Sequence, residues 1–218
     1  IINRLEDHVA SARMKTTPVI DFEKNESLKG LDYLDTIYHA IVNEHPIQLK
    51  YRSFKARSAN SFIFYPYLLK EYRNRWFVYG VRGNGRILQN LALDRIQSLE
   101  VLPQEHYIKN TFFDPNTFFD DLVGVTKNSG SVAEKVGFKV AAAEAPYIIT
   151  KPIHRSQQVM ERLADGSVIL EIEVVINHEL ERVFFGYVDG IEILYPKTLV
   201  ELMSRKLEKA AKQYTKSK

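Results

Sequence analysis

The sequence predicts an α+β chain built from two small domains in series: a five-stranded barrel led by a helix, then a βαββαβ unit closed by a C-terminal helix. Three observations carry that expectation. Five short strand-like runs follow one another between residues 47 and 102, with turn signals between them. Residues 134–195 run strand, helix, strand, strand, helix, strand, the order of a ferredoxin-like unit. Between these stretches, Pro103, Asp114-Pro115-Asn116 and Asn128-Ser129-Gly130 interrupt any regular period. A chain of 218 residues can bury two cores of this size.

In chain order, residues 1–30 read as a leader, with one short extended segment at Thr16-Thr17-Pro18-Val19-Ile20-Asp21-Phe22. From Leu31 the spacing turns helical, with Leu34, Ile37, Tyr38, Ile41 and Val42 on the same face, until Pro46 stops it. Strands follow at about 47–53, 61–70, 75–82, 86–93 and 96–102, with Asn74 and Gly83-Asn84-Gly85 as turns. Several of them are apolar on both faces, which favours a small barrel over an open sheet. Residues 31–102 form this first domain, and 103–130 a linker with a short helix near Asn116 to Leu122.

Residues 131–218 form the second domain. Glu134 to Val140 reads as a strand, Ala142 to Thr150 as a helix, and Ser156 to Leu163 as a strand ending at Asp165-Gly166. Val168, Leu170, Ile172, Val174 and Ile176 then alternate with Glu171 and Glu173, the pattern of a half-buried antiparallel strand. Glu179 to Val188 is helical with Asn177 as its cap, and Ile191 to Tyr195 is the last strand. A helix from Pro196 carries Leu199, Leu202, Met203, Leu207, Ala210, Ala211 and Tyr214 on one stripe. That stripe needs either the domain's own sheet or a second subunit.

Composition narrows function. The formal net charge is +3, yet residues 40–100 hold ten Lys or Arg against four Asp or Glu, so the basic character belongs to the first domain. A local excess of this kind suits an anionic partner or a solvated basic face. The absence of cysteine removes disulfides, thiolate chemistry and cysteine-ligated zinc, and suits a cytoplasmic protein. No apolar run approaches the ~18 residues of a membrane span, and Ile1-Ile2-Asn3-Arg4 has no signal-peptide pattern.

An enzyme is not the expectation. His8, His39, His45, His106, His154 and His178 lie far apart without metal-ligand spacing, and there is no nucleophile elbow or Walker loop. Glu171 and Glu173 share a strand face, as solvent-facing residues do. No cofactor and no metal are called for.

The most informative stretch is Phe64 to Ile96, where aromatic residues interleave with arginines. Phosphates are bound by guanidinium forks, and bases stack on aromatic faces at roughly 1–3 kcal/mol each. The cations are Arg52, Lys70, Arg73, Arg75, Arg82, Arg86 and Arg95; the candidate stacking rings are Tyr51, Tyr67, Tyr72, Trp76 and Tyr79. In a regular strand Trp76 and Val78 share one face, while Phe77, Tyr79 and Val81 share the other. Without a bulge Trp76 therefore cannot share a pocket with Tyr79, and Trp76 reads as core because tryptophan buries a large apolar area.

Within this stretch, Trp76-Phe77-Val78, Pro66 and Leu69 before it and Leu93-Asp94-Arg95-Ile96 after it, together with Tyr51, resemble the WYL domain of bacterial transcription regulators. That resemblance implies a small Sm-like, SH3-like barrel. The run Lys151-Pro152-Ile153-His154-Arg155-Ser156-Gln157 is similar to a Pro-x-His-x-Ser-Gln run in the C-terminal extension that commonly follows it. Two departures stand out. Family members often carry an arginine pair where this chain has Gln89 and Ala92, and Phe77 replaces a tyrosine, removing a hydroxyl.

The resemblance implies a ligand-sensing, dimerising regulatory module. It would bind a nucleotide or single-stranded nucleic acid through Tyr51, Arg52, Lys70, Arg73, Tyr79, Arg82, Gln89, Arg95 and His154. Residues 1–30 hold too few elements for the winged helix-turn-helix usual in the family, so duplex DNA would be read by a domain absent from this chain. A homodimer, with the extension as its contact, is the expected assembly. Two other readings fit the same features: a stand-alone Sm-like protein that binds RNA or single-stranded DNA, and an accessory module that regulates an effector enzyme.

Overall fold

A computed structural model describes residues 29–215 apart from Asn84 and Arg86. The extended segment expected at 16–22, most of the leader, and the candidate cation Arg86 lie outside the described residues. Among the described residues no helix is long and apolar enough to cross a membrane.

After a 3-10 turn at Leu31–Tyr33, helix α1 spans Leu34–Val42 and strands β1 (Ile47–Tyr51), β2 (Asn60–Tyr72), β3 (Arg75–Arg82), β4 (Leu88–Ala92) and β5 (Ile96–Val101) follow. They form one antiparallel sheet in the order β4-β3-β2-β1-β5. Alternation dictates the core: Ile47, Leu49, Phe64, Val78, Leu91 and Ile96 turn inward and meet Ile37 and Ala40 of α1. Trp76 packs against this core from the same face as Val78, as its parity requires. The thirteen-residue β2 contains Pro66, which has no N–H to donate. The β2–β3 register shifts between Pro66 and Leu68, and β1 pairs only as far as Phe64, so no bond is forfeited there.

The outward face of the same sheet is also covered. Tyr65, Tyr67 and Val81 pack against Tyr107, Ile108, Phe112 and Phe113 of the segment joining the domains, and Phe113, Phe118 and Phe119 surround Tyr79. Residues 103–130 are thus a packed strap that supplies a second small core. The helix expected at 116–122 is a run of turns instead. The Asp114 carbonyl accepts from both Thr117 and Phe118, the Asp114 side chain takes the Asn116 N–H, and later bonds span three residues. Side-chain competition for these backbone groups suppresses a regular helix.

The second domain comprises β6 (Glu134–Val140), α2 (Ala145–Thr150), β7 (Gln158–Arg162), β8 (Val168–Val174), α3 (His178–Phe185), β9 (Ile191–Tyr195) and α4 (Lys197–Thr215). Its sheet runs β7-β8-β6-β9, antiparallel throughout, the order expected of a ferredoxin-like unit. Phe138, Leu170, Ile172, Leu180, Phe184, Leu199 and Met203 fill its core. Strand β8 ends at Val174, short of the expected Ile176, because the Val175 N–H leaves the sheet and donates to the Asp121 carbonyl of the strap. The start of α4 packs on its own sheet through Leu199 and Met203, whereas Leu207 and Tyr214 further along the stripe are exposed.

Candidate functional site: an arginine-lined groove between the domains

Where the barrel, the strap and α3 meet there is a groove of about 570 Å³. The barrel contributes Phe54 from the β1–β2 loop, Tyr72, Arg73 and Arg75 from the β2–β3 hairpin, Phe77 from β3, Asn90 and Ala92 from β4, and Arg95. The strap adds Val125 and Thr126, and α3 adds His178, Glu179 and Arg182.

Local structure places each cation. Arg73 and Asn74 both have positive φ, 50° and 60°, which makes the two-residue turn that matches strand twist and sets Arg73 at the hairpin tip. Its guanidinium lies 5.5 Å from the Tyr72 ring centre. Arg75 pairs with Asp94 at 3.4 Å. Leu93–Arg95 form a 3-10 turn linking β4 to β5, and Gly30 packs against it at φ 87°, where a Cβ would come within 2.4 Å of the Leu93 backbone. Arg95 from that turn lies under the exposed Phe54 ring, 4.4 Å from its centre, with Nε buried and without a hydrogen-bond partner among the described residues.

Of the residues expected from sequence, Arg73 and Arg95 line the groove. Tyr51 is buried behind Arg95. Burial raises its pKa, and the nearby guanidinium offsets part of the rise. Arg52 is exposed, and its backbone N–H donates to the Arg95 carbonyl at 3.1 Å. Lys70 lies 4.6 Å from the Phe119 ring centre, under the strap. Arg82 stacks on Phe62 at 4.1 Å at the far end of β3, about 23 Å from Arg75 at ~3.3 Å per residue. Gln89 lines a separate cavity of about 320 Å³ with Leu88, Phe112 and Phe118.

Two expected contacts go elsewhere. Tyr79 is buried under the strap, surrounded by Phe113, Phe118 and Phe119, and its hydroxyl donates to the Val125 carbonyl. Burial drives its pKa well above the usual tyrosine range, and its ring offers no open face for stacking. His154 is also buried. Its Nδ1 accepts from the Ser156 N–H at 3.2 Å, and the Ser156 hydroxyl, 2.7 Å away, accepts the Glu173 N–H. Burial, then the charge of Arg155, holds its pKa below the usual histidine value. Gln157 completes the corner by donating to the Ile148 carbonyl and accepting from the Ile153 N–H. The Pro-x-His-x-Ser-Gln run is therefore a structural corner between α2 and β7.

Sequence reasoning missed Phe54, Asn90, His178, Glu179, Thr126 and Arg182. A lone phenylalanine in the polar stretch Ser53-Phe54-Lys55-Ala56-Arg57 was one available signal; the helix start Asn177-His178-Glu179 with Arg182 one turn on was another. Of the two positions that replace the family's arginine pair, Ala92 lies on the groove floor opposite Phe77 on β3, whereas Gln89 is outside it. Arg182 of α3 brings a further guanidinium to the same groove from the second domain.

The sequence matches the WYL domain over residues 32–101 and the WCX domain over residues 133–211. The chain belongs to the WYL-domain family, with the WCX domain as its second half. Among solved structures it is similar to proteasome accessory factor B/C (PafBC) of Arthrobacter aurescens, at 15% identity, TM-score 0.40, over 95% of this chain and 32% of that one. It is also similar to a CRISPR Cas-related protein, at 13% identity, TM-score 0.48, over 84% of this chain and 51% of that one. The chain thus spans about a third and about half of the lengths of these two structures. Among curated proteins none matches.

Proposed function

We propose that this chain is the ligand-sensing, dimerising regulatory part of a bacterial WYL-type transcription regulator, and that its ligand is a nucleotide or single-stranded nucleic acid. The observation that carries this reading is the inter-domain groove, where Arg73, Arg75, Arg95 and Arg182 converge with Phe54, Tyr72 and Phe77. Guanidinium groups neutralise phosphates, and the rings accept stacked bases. Because the lining comes from both domains, a ligand there favours one relative arrangement over others by the difference in its affinity for them.

A second copy is the proposed occupant of the exposed half of α4. The stripe that buries Leu199 and Met203 in the domain's own core continues past it through Leu207 to Tyr214. A groove of about 360 Å³ lined by Phe185, Val188 and Ile193 lies alongside. Sedimentation should show a dimer that Leu207→Glu dissociates; a monomer at all concentrations would refute the assembly.

Anisotropy titrations with short single-stranded oligonucleotides and cyclic dinucleotides test the ligand. Affinity should fall steeply between about 50 and 200 mM salt, as counterion release requires. The double variant Arg95→Ala/Arg182→Ala should bind at least tenfold more weakly. A flat salt response, or unchanged binding by that variant, would overturn the reading.

A further inference from the structure

We propose that Glu179 determines ligand specificity in this groove, accepting a hydrogen bond from a donor group of the nucleotide, either an exocyclic amino group of a base or a sugar hydroxyl. The inference rests on the nucleotide reading of the groove.

Glu179 is the one carboxylate among the groove's described lining residues, and its side chain is 6% exposed. Oε1 accepts the Thr126 hydroxyl at 2.7 Å. Oε2 is buried without a hydrogen-bond partner among the described residues, 3.3 Å from Nδ1 of His178, whose own side chain is half-exposed. Leaving such an oxygen unsatisfied is costly, and the cost is relieved when a donor reaches it.

The side chain is held in place. Gly124, at φ +92°, leaves the space it occupies, since a Cβ there would meet Glu179 Cγ at 2.5 Å. Asn177 caps α3 by accepting the Leu180 N–H and fastens the strap by donating to the Val123 and Thr126 carbonyls, both at 2.9 Å. His178, at the groove surface, lies beside Oε2 and pairs with it when its ring is protonated, so a ligand donor would compete with that ring for the oxygen.

The chemistry then divides. Arginine has donors and no acceptor, so the four guanidiniums suit phosphate oxygens and nothing that donates. A carboxylate repels phosphate and accepts N–H or O–H. The groove is therefore built for a molecule with an anionic pole and a donor pole, which a nucleotide has.

The test compares the full chain's affinity for short d(T), d(C) and r(U) oligomers at one salt concentration. Thymidine has neither an amino group nor a 2′-hydroxyl, and its N3–H lies between two carbonyl oxygens that a carboxylate repels. Wild type should bind d(C) or r(U) at least about fivefold tighter than d(T). Preference for d(C) identifies the amino group, and preference for r(U) the hydroxyl. Glu179→Gln, which keeps the size and the Thr126 contact, should bring that ratio close to one without weakening d(T). Equal wild-type affinity for all three oligomers, or an equal shift of all three in Glu179→Gln, would overturn the inference while leaving the nucleotide reading intact. Failure of every oligomer to bind would sink both. The wild-type comparison decides by itself should Glu179→Gln fail to fold.

Discussion

Tyr79 of β3 donates its hydroxyl to the backbone carbonyl of Val125, 46 residues further along the chain. Asn90 Nδ2 donates to the same carbonyl at 2.7 Å. Through this acceptor the barrel holds the strap, and the strap in turn reaches α3 by way of Thr126 and Asn177. The groove exists because these attachments set the second domain's arginine against those of the first.

Tyr79→Phe should therefore cost about 1 kcal/mol, the net value of one hydrogen bond, and Tyr79→Ala about 3–5 kcal/mol through the lost aromatic packing. Urea denaturation measures both. Unchanged stability of Tyr79→Phe together with lost ligand binding would return the residue to the ligand.

Each guanidinium that touches a phosphate adds to the salt slope. Arg73→Ala and Arg182→Ala should each flatten the dependence of log K on log salt by about 0.7 for a single strand. Arg82→Ala, on the far end of β3, should leave it as in wild type. Equal effects from all three would mean a diffuse basic surface and no defined groove.

Ala92 lies on the floor of the groove. Ala92→Arg adds a guanidinium where the family often has one, so it should raise affinity for single-stranded oligomers several-fold and steepen the salt slope. Weaker binding by a variant that still folds would show that the ligand's body rests on this floor.

His154 titrates below its usual value of 6.5 because it is buried. As pH falls through about 6.5 the unfolded chain takes up a proton that the folded chain refuses, so stability is complete above that value and declines below it. Urea midpoints at about pH 7.5 and 5.5 should therefore differ more in wild type than in His154→Gln. Equal differences would mean that the histidine stays accessible to protons.

Much of the fold was legible locally. Alternation marked Val168, Leu170, Ile172 and Val174 as the inner face of β8, and parity separated Val78 from Tyr79 before either was placed. Arg73, expected beside the Asn74 turn, and Arg95, expected from the Leu93-Asp94-Arg95-Ile96 motif, both line the groove, although the 3-10 turn that carries Arg95 had no signal in the sequence. The strap was harder to read. Its turns and prolines look like a linker, and only packing on the outer face of β2 and β3 reveals what Phe112, Phe113, Phe118 and Phe119 are for.

By itself the sequence determined most of the order of helices and strands along the chain, the basic character of residues 40–100 and the WYL resemblance, because each depends on local period, composition or a contiguous motif. Tertiary structure decided which charges act together. Arg95 and Arg182 share one groove although they are 87 residues apart, while Arg82, seven residues from Arg75 on one strand, lies far away. It also decided that Tyr79 and His154 hold the framework, since a side chain's partners depend on the surface packed over it and not on its neighbours in the chain.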